Sequence, residues 1–342
     1  MPSRVDLLAP VPLDSPRGNA VTVMRIARGL RAHGLEVCVR RADGDGLAEH
    51  TASSQAAVVH AFHAYRTGPL GLQLARSSQV PLVITLTGTD VSDDLRNPER
   101  GPVVREALLG AAAITSFHDS VASEVIAALP ALSPRVSVVP QSVHFPPASA
   151  SETTPVVHGD PCILFPAGIR PVKRPLLPLA ALDGLLLRHP GLRLWYAGPA
   201  LDAQETQRLE RELLGRPWAR YLGPVPHATM PSLLAAADIV LNCSLSEGGM
   251  ANAVLEAFAL GRAVLASDIP GNRSVVEDGV TGLLFRSEAE LAQGVARLAA
   301  DPALRRRLGD AGRRLVESRY TPARETAGYL EVYARVTGGR LA

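Results

Sequence analysis

Two glutamates, Glu247 and Glu256, frame the stretch EGGMANAVLE, whose other residues are mostly glycine or small and apolar. The apolar run IVLNC predicts a strand, the segment SLSEGGM a loop, and the residues from about 251 a helix. The free backbone N–H groups of Asn252, Ala253 and Val254 at the start of that helix can bind an anion. Glu256, about one turn further on, can accept hydroxyl groups of a ribose, or it can simply complement the helix dipole.

Two basic residues, Arg170 and Lys173, lie in PAGIRPVKRP, which follows a predicted strand and precedes a helical pattern. A helix dipole contributes only about 0.3 to 2 kcal/mol toward an anion, too little to hold a diphosphate in a wet cleft. Fixed cations are needed, and both side chains can reach the same phosphates, arginine as a planar fork and lysine as a point charge. They could instead be two solvated loop cations.

Weaker candidates come from the first half of the chain. In SPRGNAVT, Gly18 and Asn19 fall between a predicted strand and helix, where a glycine allows close approach to a ligand or serves only the turn. In LTGTD, Thr87 and Asp90 lie at a predicted strand end facing a cleft. Asp90 could equally cap the segment that follows.

Short apolar runs alternate with amphipathic segments along both halves of the chain, which predicts parallel sheets with helices on both faces. The predicted strands of the first half are 5–9, 36–39, 57–61, 81–86, 112–116 and 136–139. Those of the second half are 163–166, 192–197, 220–222, 239–242 and 263–267. The fold class is therefore α/β, with two Rossmann-like doubly wound domains whose strand ends face one cleft.

A segment rich in proline, serine and threonine, residues 145–161, separates the two halves and has no periodicity, as is typical of a linker. We place the first domain at 1–147, the linker at 148–160 and the second domain at 161–342. The last predicted helices of the chain are assigned to the second domain.

Composition narrows the function classes. The chain has 342 residues, 46% of them hydrophobic, a net charge of +2 and 35 basic residues spread along its length, so a nucleic-acid-binding surface is not expected. Its cysteines, Cys38, Cys162 and Cys243, lie in or beside apolar runs, which favours buried thiols in a reducing cytoplasm, and their spacing matches no metal site. We find no signal peptide and no transmembrane run, and expect a cytoplasmic protein.

In combination these motifs resemble the GT-B glycosyltransferases of family 4, the glycosyl transferases group 1. AGIRPVKRP is similar to that family's G-R-x-x-x-K turn, YLGPVPH to its base-pocket segment, and SLSEGGMANAVLEAFALG to its paired-glutamate signature, with DGVTGLLF following. The first half is similar through RGNAVT, LTGTD and PQS at 140–142. These traits are closest to the glycosyltransferase 1 domain-containing proteins and are partly shared with selenosugar synthases.

The resemblance implies a role for each matching position. Arg170 and Lys173 would bind the donor diphosphate, Glu256 the ribose and Glu247 the donor sugar; Arg170, Lys173 and Glu247 are the expected catalytic residues. The other expected donor contacts are Gly18, Asn19, Leu222, Val225, Gly248, Gly249, Asn252, Ala253 and Val254, of which Leu222 and Val225 would flank the base. The expected acceptor-side residues are Thr87, Asp90, Gln141 and Ser142.

Two features depart from the family. Eight residues separate Glu247 from Glu256, where the family has seven, so either the loop bulges at its glycine pair or Glu247 is displaced. Many members also carry a histidine at the first-domain strand end where this chain has Thr87.

The resemblance implies a retaining, metal-independent transfer of a hexose or N-acetylhexosamine from a nucleotide diphosphate sugar, with UDP expected, to a small acceptor. The nucleotide sugar is then a substrate, and no cofactor is expected. One alternative is a selenosugar or thiosugar synthase that uses UDP-GlcNAc and selenophosphate. Its candidate anion contacts are Arg17, His63 and Arg66, which could equally be solvated surface residues. A second alternative is a non-catalytic sugar-nucleotide-binding protein, which is favoured only by the two departures from the family pattern.

Overall fold

The chain forms two compact units, Met1–Ser142 together with Thr321–Ala342, and Val143–Tyr320. The structure is a computed structural model that describes residues 3–13, 18–41, 55–145 and 155–340.

The first unit is built on one parallel sheet. Its strands are β1 (Arg4–Ala9), β2 (Glu36–Arg41), β3 (Val58–Phe62), β4 (Leu82–Thr85), β5 (Ala113–Ser116) and β6 (Val136–Val138), in the order β2-β1-β3-β4-β5-β6. The helices following the strands are α1 (Gly18–Ala32), α2 (Gly68–Ser78), α3 (Gly101–Gly110) and α4 (Asp119–Ala128). Every residue of β3, β4 and β5 is buried, as expected for strands covered by helices on both faces.

The second unit repeats this plan. Its parallel strands are β7 (Cys162–Pro166), β8 (Arg193–Ala197), β9 (Ala219–Tyr221), β10 (Ile239–Asn242), β11 (Ala263–Ser267) and β12 (Leu283–Phe285), in the order β12-β11-β10-β7-β8-β9. Its helices are α5 (Leu177–Asp183), α6 (Ala203–Leu213), α7 (Met230–Ala236), α8 (Asn252–Ala259), α9 (Pro270–Arg273), α10 (Glu288–Ala300) and α11 (Pro302–Arg319). The predicted fold class, two doubly wound parallel sheets, is confirmed; β12 is a strand that the apolar runs did not indicate.

The last helix, α12 (Pro322–Thr337), belongs to the first unit. Its Tyr329 and Tyr333 are fully buried in one core cluster with Val5 and Leu7 of β1. The division of the chain therefore differs from the expected second domain at 161–342. An amphipathic pattern shows that a helix has an apolar face but not which sheet that face covers.

The expected linker, 148–160, lies partly outside the described residues, since the structure describes only 155–160 of it. Those residues pack on the second unit, where Trp195 Nε1 donates to the His158 carbonyl at 2.8 Å and Asp160 N donates to the Gly191 carbonyl at 2.8 Å. The change from the first unit to the second falls earlier, between Ser142 and Val143.

The strand order of the second sheet reverses between β7 and β10, which are neighbours although they are far apart in sequence. At such a switch point the loops leaving the two strands run to opposite sides and open a crevice at the carboxyl edge of the sheet. The loop after β7 carries Arg170 and Lys173, and the loop after β10 carries Glu247. The fold thus places both sequence-derived motifs at one crevice.

Candidate functional site

Lys173 and Glu247 meet at the crevice of the second sheet. Lys173 Nζ donates to Glu247 Oε1 at 2.5 Å, and both side chains are largely shielded from solvent. The same oxygen accepts hydrogen bonds from Ser244 Oγ at 2.6 Å and from Asn242 Nδ2 at 2.9 Å. Two residues that the sequence analysis named separately therefore form one ion pair.

The turn that carries Arg170 is fixed against the Glu247 loop through the backbone. Leu245 N donates to the Val172 carbonyl at 2.8 Å, so the loops after β7 and β10 run side by side. Arg170 precedes the single helical turn Pro171–Lys173 and is exposed. Arg170 and Lys173 thus lie on one turn, and their convergence on one ligand stays a prediction.

The Glu247 side chain is only 12% exposed, and such shielding from solvent by itself raises the pKa of a carboxyl group. The nearby ammonium of Lys173 and the hydrogen bonds from Lys173, Ser244 and Asn242 outweigh that effect, so the pKa of Glu247 lies below its usual value. Glu247 is therefore ionised at neutral pH.

A buried polar network lies beneath the Glu247 loop and was not foreseen. Asn272 Nδ2 donates to the Ser267 carbonyl at 2.9 Å, and Ser267 Oγ donates to the Ser244 carbonyl at 2.6 Å. Asn242 Oδ1 accepts from Ser244 N at 3.1 Å. These bonds fix the two side chains, Asn242 and Ser244, that donate to Glu247. The sequence analysis assigned no role to residues 267–272.

Glu256 lies in the second turn of α8 and is held by His227, which the sequence analysis left without a role. His227 Nε2 and Glu256 Oε1 are 2.8 Å apart. The imidazole also lies near Phe145, with the ring centroids 6.4 Å apart. The sequence signal that could have indicated His227 is its position at the end of YLGPVPH, the expected base-pocket segment.

The start of α8 offers fewer free N–H groups than expected. Val254 N donates to the Ala251 carbonyl at 3.0 Å, and the Val254 side chain is fully buried. The expectation that Val254 contacts an anion is therefore wrong, because its donor is used within the first turn. Asn252 and Ala253 are the first two residues of the helix and are half-buried.

The expected base-pocket residues lie after β9 at the same carboxyl edge as the ion pair. Leu222 N donates to the Tyr196 carbonyl at 2.9 Å, which places Leu222 beside the end of β8, while the Val225 side chain is buried. Gly223 between them has a φ of +79°, a conformation that favours glycine. Leu222, which is half-buried, is the better placed of the two to contact a ligand.

In the first unit, Asp90 caps backbone groups. Its carboxylate accepts from Ala64 N at 2.9 Å, Thr87 N at 3.1 Å and Gly88 N at 2.7 Å, and the residue is fully buried. Both roles considered for Asp90 are corrected: its donors precede it in the chain instead of belonging to the segment that follows, and its buried carboxylate is not on the acceptor side. Thr87 is half-buried, and its Oγ1 has no hydrogen-bond partner among the described residues.

His63 is neither a surface residue nor an anion contact, which corrects both earlier interpretations. It is 1% exposed, its Nδ1 accepts from Arg66 N at 3.3 Å and its Nε2 lies 3.1 Å from Thr89 Oγ1. Burial lowers the pKa of its imidazole despite the nearby Asp90 and Asp94 carboxylates. His63 shapes the turn after β3 as a neutral side chain. Arg66 is exposed, and Arg17 lies outside the described residues.

Gln141 and Ser142 are also buried, so their assignment to the acceptor side is corrected. Ser142 Oγ donates to Glu325 Oε2 of α12 at 2.6 Å, and Gln141 Nε2 donates to Thr22 Oγ1 of α1 at 3.1 Å. Both side chains hold helices of the first unit in place. Gly18 and Asn19 form the first two positions of α1, after residues that the structure does not describe.

Comparison with known proteins shows similarity to glycosyltransferases. Residues 160–301 match the family "Glycosyl transferases group 1". The chain is 27% identical over 320 residues to the "Glycosyltransferase 1 domain-containing protein 1" of Xenopus tropicalis, across 89% of this chain and 90% of that protein. It is 29% identical over 279 residues to the "D-inositol 3-phosphate glycosyltransferase" of Kribbella flavida, across 74% and 65% of the two chains.

Solved glycosyltransferase structures share the whole fold. The sucrose-phosphate synthase of Thermosynechococcus elongatus superposes with a TM-score of 0.78 at 19% identity, covering 98% of this chain and 99% of that chain. Anabaena Alr3699/HepE in complex with UDP-glucose superposes with a TM-score of 0.77 at 17% identity, covering 97% and 99%. The chain thus has the GT-B fold, as its motifs predicted.

The switch-point crevice lies within the segment that matches the group 1 glycosyltransferase family. Chemically, it combines one ammonium and one exposed guanidinium with two carboxylates, Glu247 and Glu256, whose orientations are fixed by hydrogen bonds. Cations suit an anionic leaving group, and an oriented carboxylate such as that of Glu256 suits hydroxyl groups. Among the residues that the structure describes, no cluster of three or more His, Cys, Asp or Glu side chains is placed to hold a metal ion, and no helix has the length and apolarity needed to span a membrane.

Proposed function

We propose that this protein is a retaining glycosyltransferase that moves a hexose or N-acetylhexosamine from a UDP-sugar to a small acceptor without a metal ion. The single observation that carries the proposal is the ion pair of Lys173 and Glu247 at the β7–β10 switch point. Ligands of open α/β sheets bind at such switch points, which supports a nucleotide sugar at this crevice.

The charges at the crevice suit a diphosphate. Lys173 reaches the crevice from the same turn as Arg170. Fixed cations at the two phosphates would stabilise the charge that develops when the bond to the sugar breaks. In the family's usual account, a donor phosphate oxygen helps to deprotonate the acceptor hydroxyl, and we extend that account to this protein.

The hydroxyl-binding side supports a nucleoside rather than free pyrophosphate. Glu256 is oriented by His227 and projects from the helix whose first turn faces the same crevice. A carboxylate held in this way can accept from ribose hydroxyls, while Leu222 offers an apolar contact for a base. The relatives support a sugar nucleotide as donor, since HepE is described in complex with UDP-glucose.

Replacement of Arg170 tests the proposal directly. Arg170→Ala removes a charge-assisted hydrogen bond to phosphate, a contribution of about 1.5 to 3 kcal/mol. We expect the dissociation constant of UDP to rise about tenfold to a hundredfold in titration calorimetry. Arg313→Ala on α11, where the arginine side chain is 49% exposed, is the matched control and should leave the constant unchanged. An unchanged constant in Arg170→Ala contradicts the proposal.

Turnover separates an enzyme from a non-catalytic binding protein. Release of UDP from a UDP-sugar, slow without an acceptor and faster with one, is the expected result. Detection of the transferred sugar with its anomeric configuration retained would establish the stereochemical part of the proposal. Binding of the UDP-sugar without any turnover across an acceptor panel would favour the binding-protein alternative.

A further inference from the structure

One oxygen of the Glu247 carboxylate, Oε1, is bonded to the protein's own polar groups. Its Oε1 accepts from Lys173 Nζ, Ser244 Oγ and Asn242 Nδ2 at 2.5, 2.6 and 2.9 Å. A carboxylate oxygen has roughly two lone-pair directions, so three donors occupy this oxygen completely. The protein therefore satisfies Oε1 before any ligand binds.

The backbone that carries Glu247 is held from behind by α9. A Cβ atom added to Gly271 would lie 2.7 Å from Glu247 Cβ and 2.8 Å from the Gly249 carbonyl oxygen. The loop therefore packs directly on the backbone of α9 and has no room to move toward it.

Lys173 needs a partner of this kind. Its ammonium is a point charge on a flexible four-carbon stem, in contrast to the rigid fork of an arginine. The backbone next to it is fixed, because Arg174 adopts a φ of +48° and its Nε donates to the Cys243 carbonyl at 2.6 Å. The contact with Glu247 fixes the other end of the side chain and leaves two ammonium N–H groups for phosphate oxygens.

We propose that Glu247 is a positioning residue that holds the Lys173 ammonium toward the donor diphosphate, and that it does not bind the donor sugar. The inference rests on the proposed function, because it assumes a nucleoside diphosphate at the switch-point crevice. It differs from the role that the family resemblance implies for Glu247. Glu247 thereby acts on the leaving group through Lys173.

Comparing UDP with a UDP-sugar separates the two roles, because only the UDP-sugar carries the sugar. Glu247→Asp keeps the negative charge but shortens the side chain, so it releases Lys173 without changing the net charge of the crevice. We expect the dissociation constants of UDP and of UDP-glucose or UDP-N-acetylglucosamine, whichever binds the wild type, to rise by the same factor. That factor is about threefold to tenfold, as expected when one long side chain is no longer held in place.

Two further variants sharpen the measurement. Glu247→Gln keeps an oxygen that can accept from Lys173, so UDP should bind at least as tightly as to the wild type. In a Lys173→Met background, Glu247→Asp should have no further effect on either constant, since the residue through which it acts is gone. Glu288→Asp, at an exposed position in the first turn of α10, is the matched control and should change neither constant.

The opposite pattern overturns the inference. If Glu247→Asp weakens only the UDP-sugar and leaves UDP unchanged, or if its effect persists without Lys173, then Glu247 binds the sugar. Equal melting temperatures for Glu247→Gln and the wild type verify folding. Failure of the wild-type protein to bind UDP at all would contradict the proposed function itself, and that result is visible before any variant is made.

Discussion

His227 illustrates at the residue scale how a neighbouring side chain can prepare a binding carboxylate. Glu256 Oε1 lies 2.8 Å from His227 Nε2, and the two residues are separated by 29 positions in the chain. The helical pattern placed Glu256 correctly in α8, because periodicity reports on neighbours within one helix. It could not report on a partner contributed by the loop after β9.

Replacing His227 should weaken binding of the nucleoside without affecting the diphosphate. His227→Ala removes one hydrogen bond to Glu256, a net contribution of about 0.5 to 1.5 kcal/mol. We expect the dissociation constant of UDP to rise about twofold to twelvefold, while that of inorganic pyrophosphate, which has no ribose, stays unchanged. His227→Gln, which retains an N–H donor, should restore part of the loss. Equal weakening of both ligands would place His227 at the diphosphate instead.

Three acidic side chains that the sequence presents alike have different roles. The Asp90 carboxylate accepts from backbone N–H groups, Glu247 Oε1 accepts from Lys173 and two polar side chains, and Glu256 Oε1 contacts one imidazole. What separates them is burial and the number of donors within reach, and both are tertiary properties. The sequence could therefore predict that these strand ends are polar, but not which carboxylates stay available to a ligand.

At the scale of elements, the strands and the switch-point loops were predictable, and their supports were not. Runs such as 163–166 and 239–242 are short and almost entirely apolar, which identifies buried strands, and β7 and β10 agree with them closely. The motif loops follow from those strand ends. The α9 support was not predictable, because the four residues of this helix are too few to produce a periodic signal.

The close packing of α9 on the Glu247 loop should be sensitive to a single methyl group. In Gly271→Ala the new Cβ would meet Glu247 Cβ at 2.7 Å and the Gly249 carbonyl oxygen at 2.8 Å, so the loop must shift. We expect a lower melting temperature, because overpacking costs about 1 to 3 kcal/mol, and weaker UDP binding.

Gly184→Ala is the matched control for this element. No atom lies within 4 Å of a Cβ at Gly184, and its φ of −71° is open to any residue. Calorimetry should show an unchanged or slightly higher melting temperature and unchanged UDP binding. If Gly271→Ala behaves in the same way, then the loop does not depend on close contact with α9.

At the scale of the whole molecule, the chain returns to its first unit after completing the second. The apolar face of α12 packs on the first sheet through Tyr329 and Tyr333, and Tyr333 Oη lies 2.6 Å from His60 Nδ1. Composition and length predicted two domains correctly. They could not predict that the last helix returns to the first domain, since that depends on which core has room for two tyrosines.

The return of α12 is secured by a buried ion pair. Arg25 of α1 forms two hydrogen bonds with Glu325, at 2.8 and 2.9 Å, and the side chains are only 5% and 3% exposed. Ser142, the last residue before the chain enters the second unit, donates to the same carboxylate. One buried carboxylate thus joins α1, α12 and the end of the first segment.

Removing that carboxylate should destabilise the first unit selectively. Glu325→Ala leaves the Arg25 guanidinium buried without its carboxylate, which costs about 3 to 5 kcal/mol. At about 2 to 4 °C per kcal/mol for a unit of this size, its transition in differential scanning calorimetry should fall by roughly 6 to 20 °C. The transition of the second unit, which has a separate core, should stay in place. Glu331→Ala, an exposed position of the same helix, should leave both transitions unchanged.

A double variant separates the contribution of the ion pair from the cost of an unpaired buried charge. Arg25→Met combined with Glu325→Met should recover much of the lost stability, because no buried charge is then left without a partner. A double variant as unstable as Glu325→Ala would show that the ion pair itself determines the stability of the first unit.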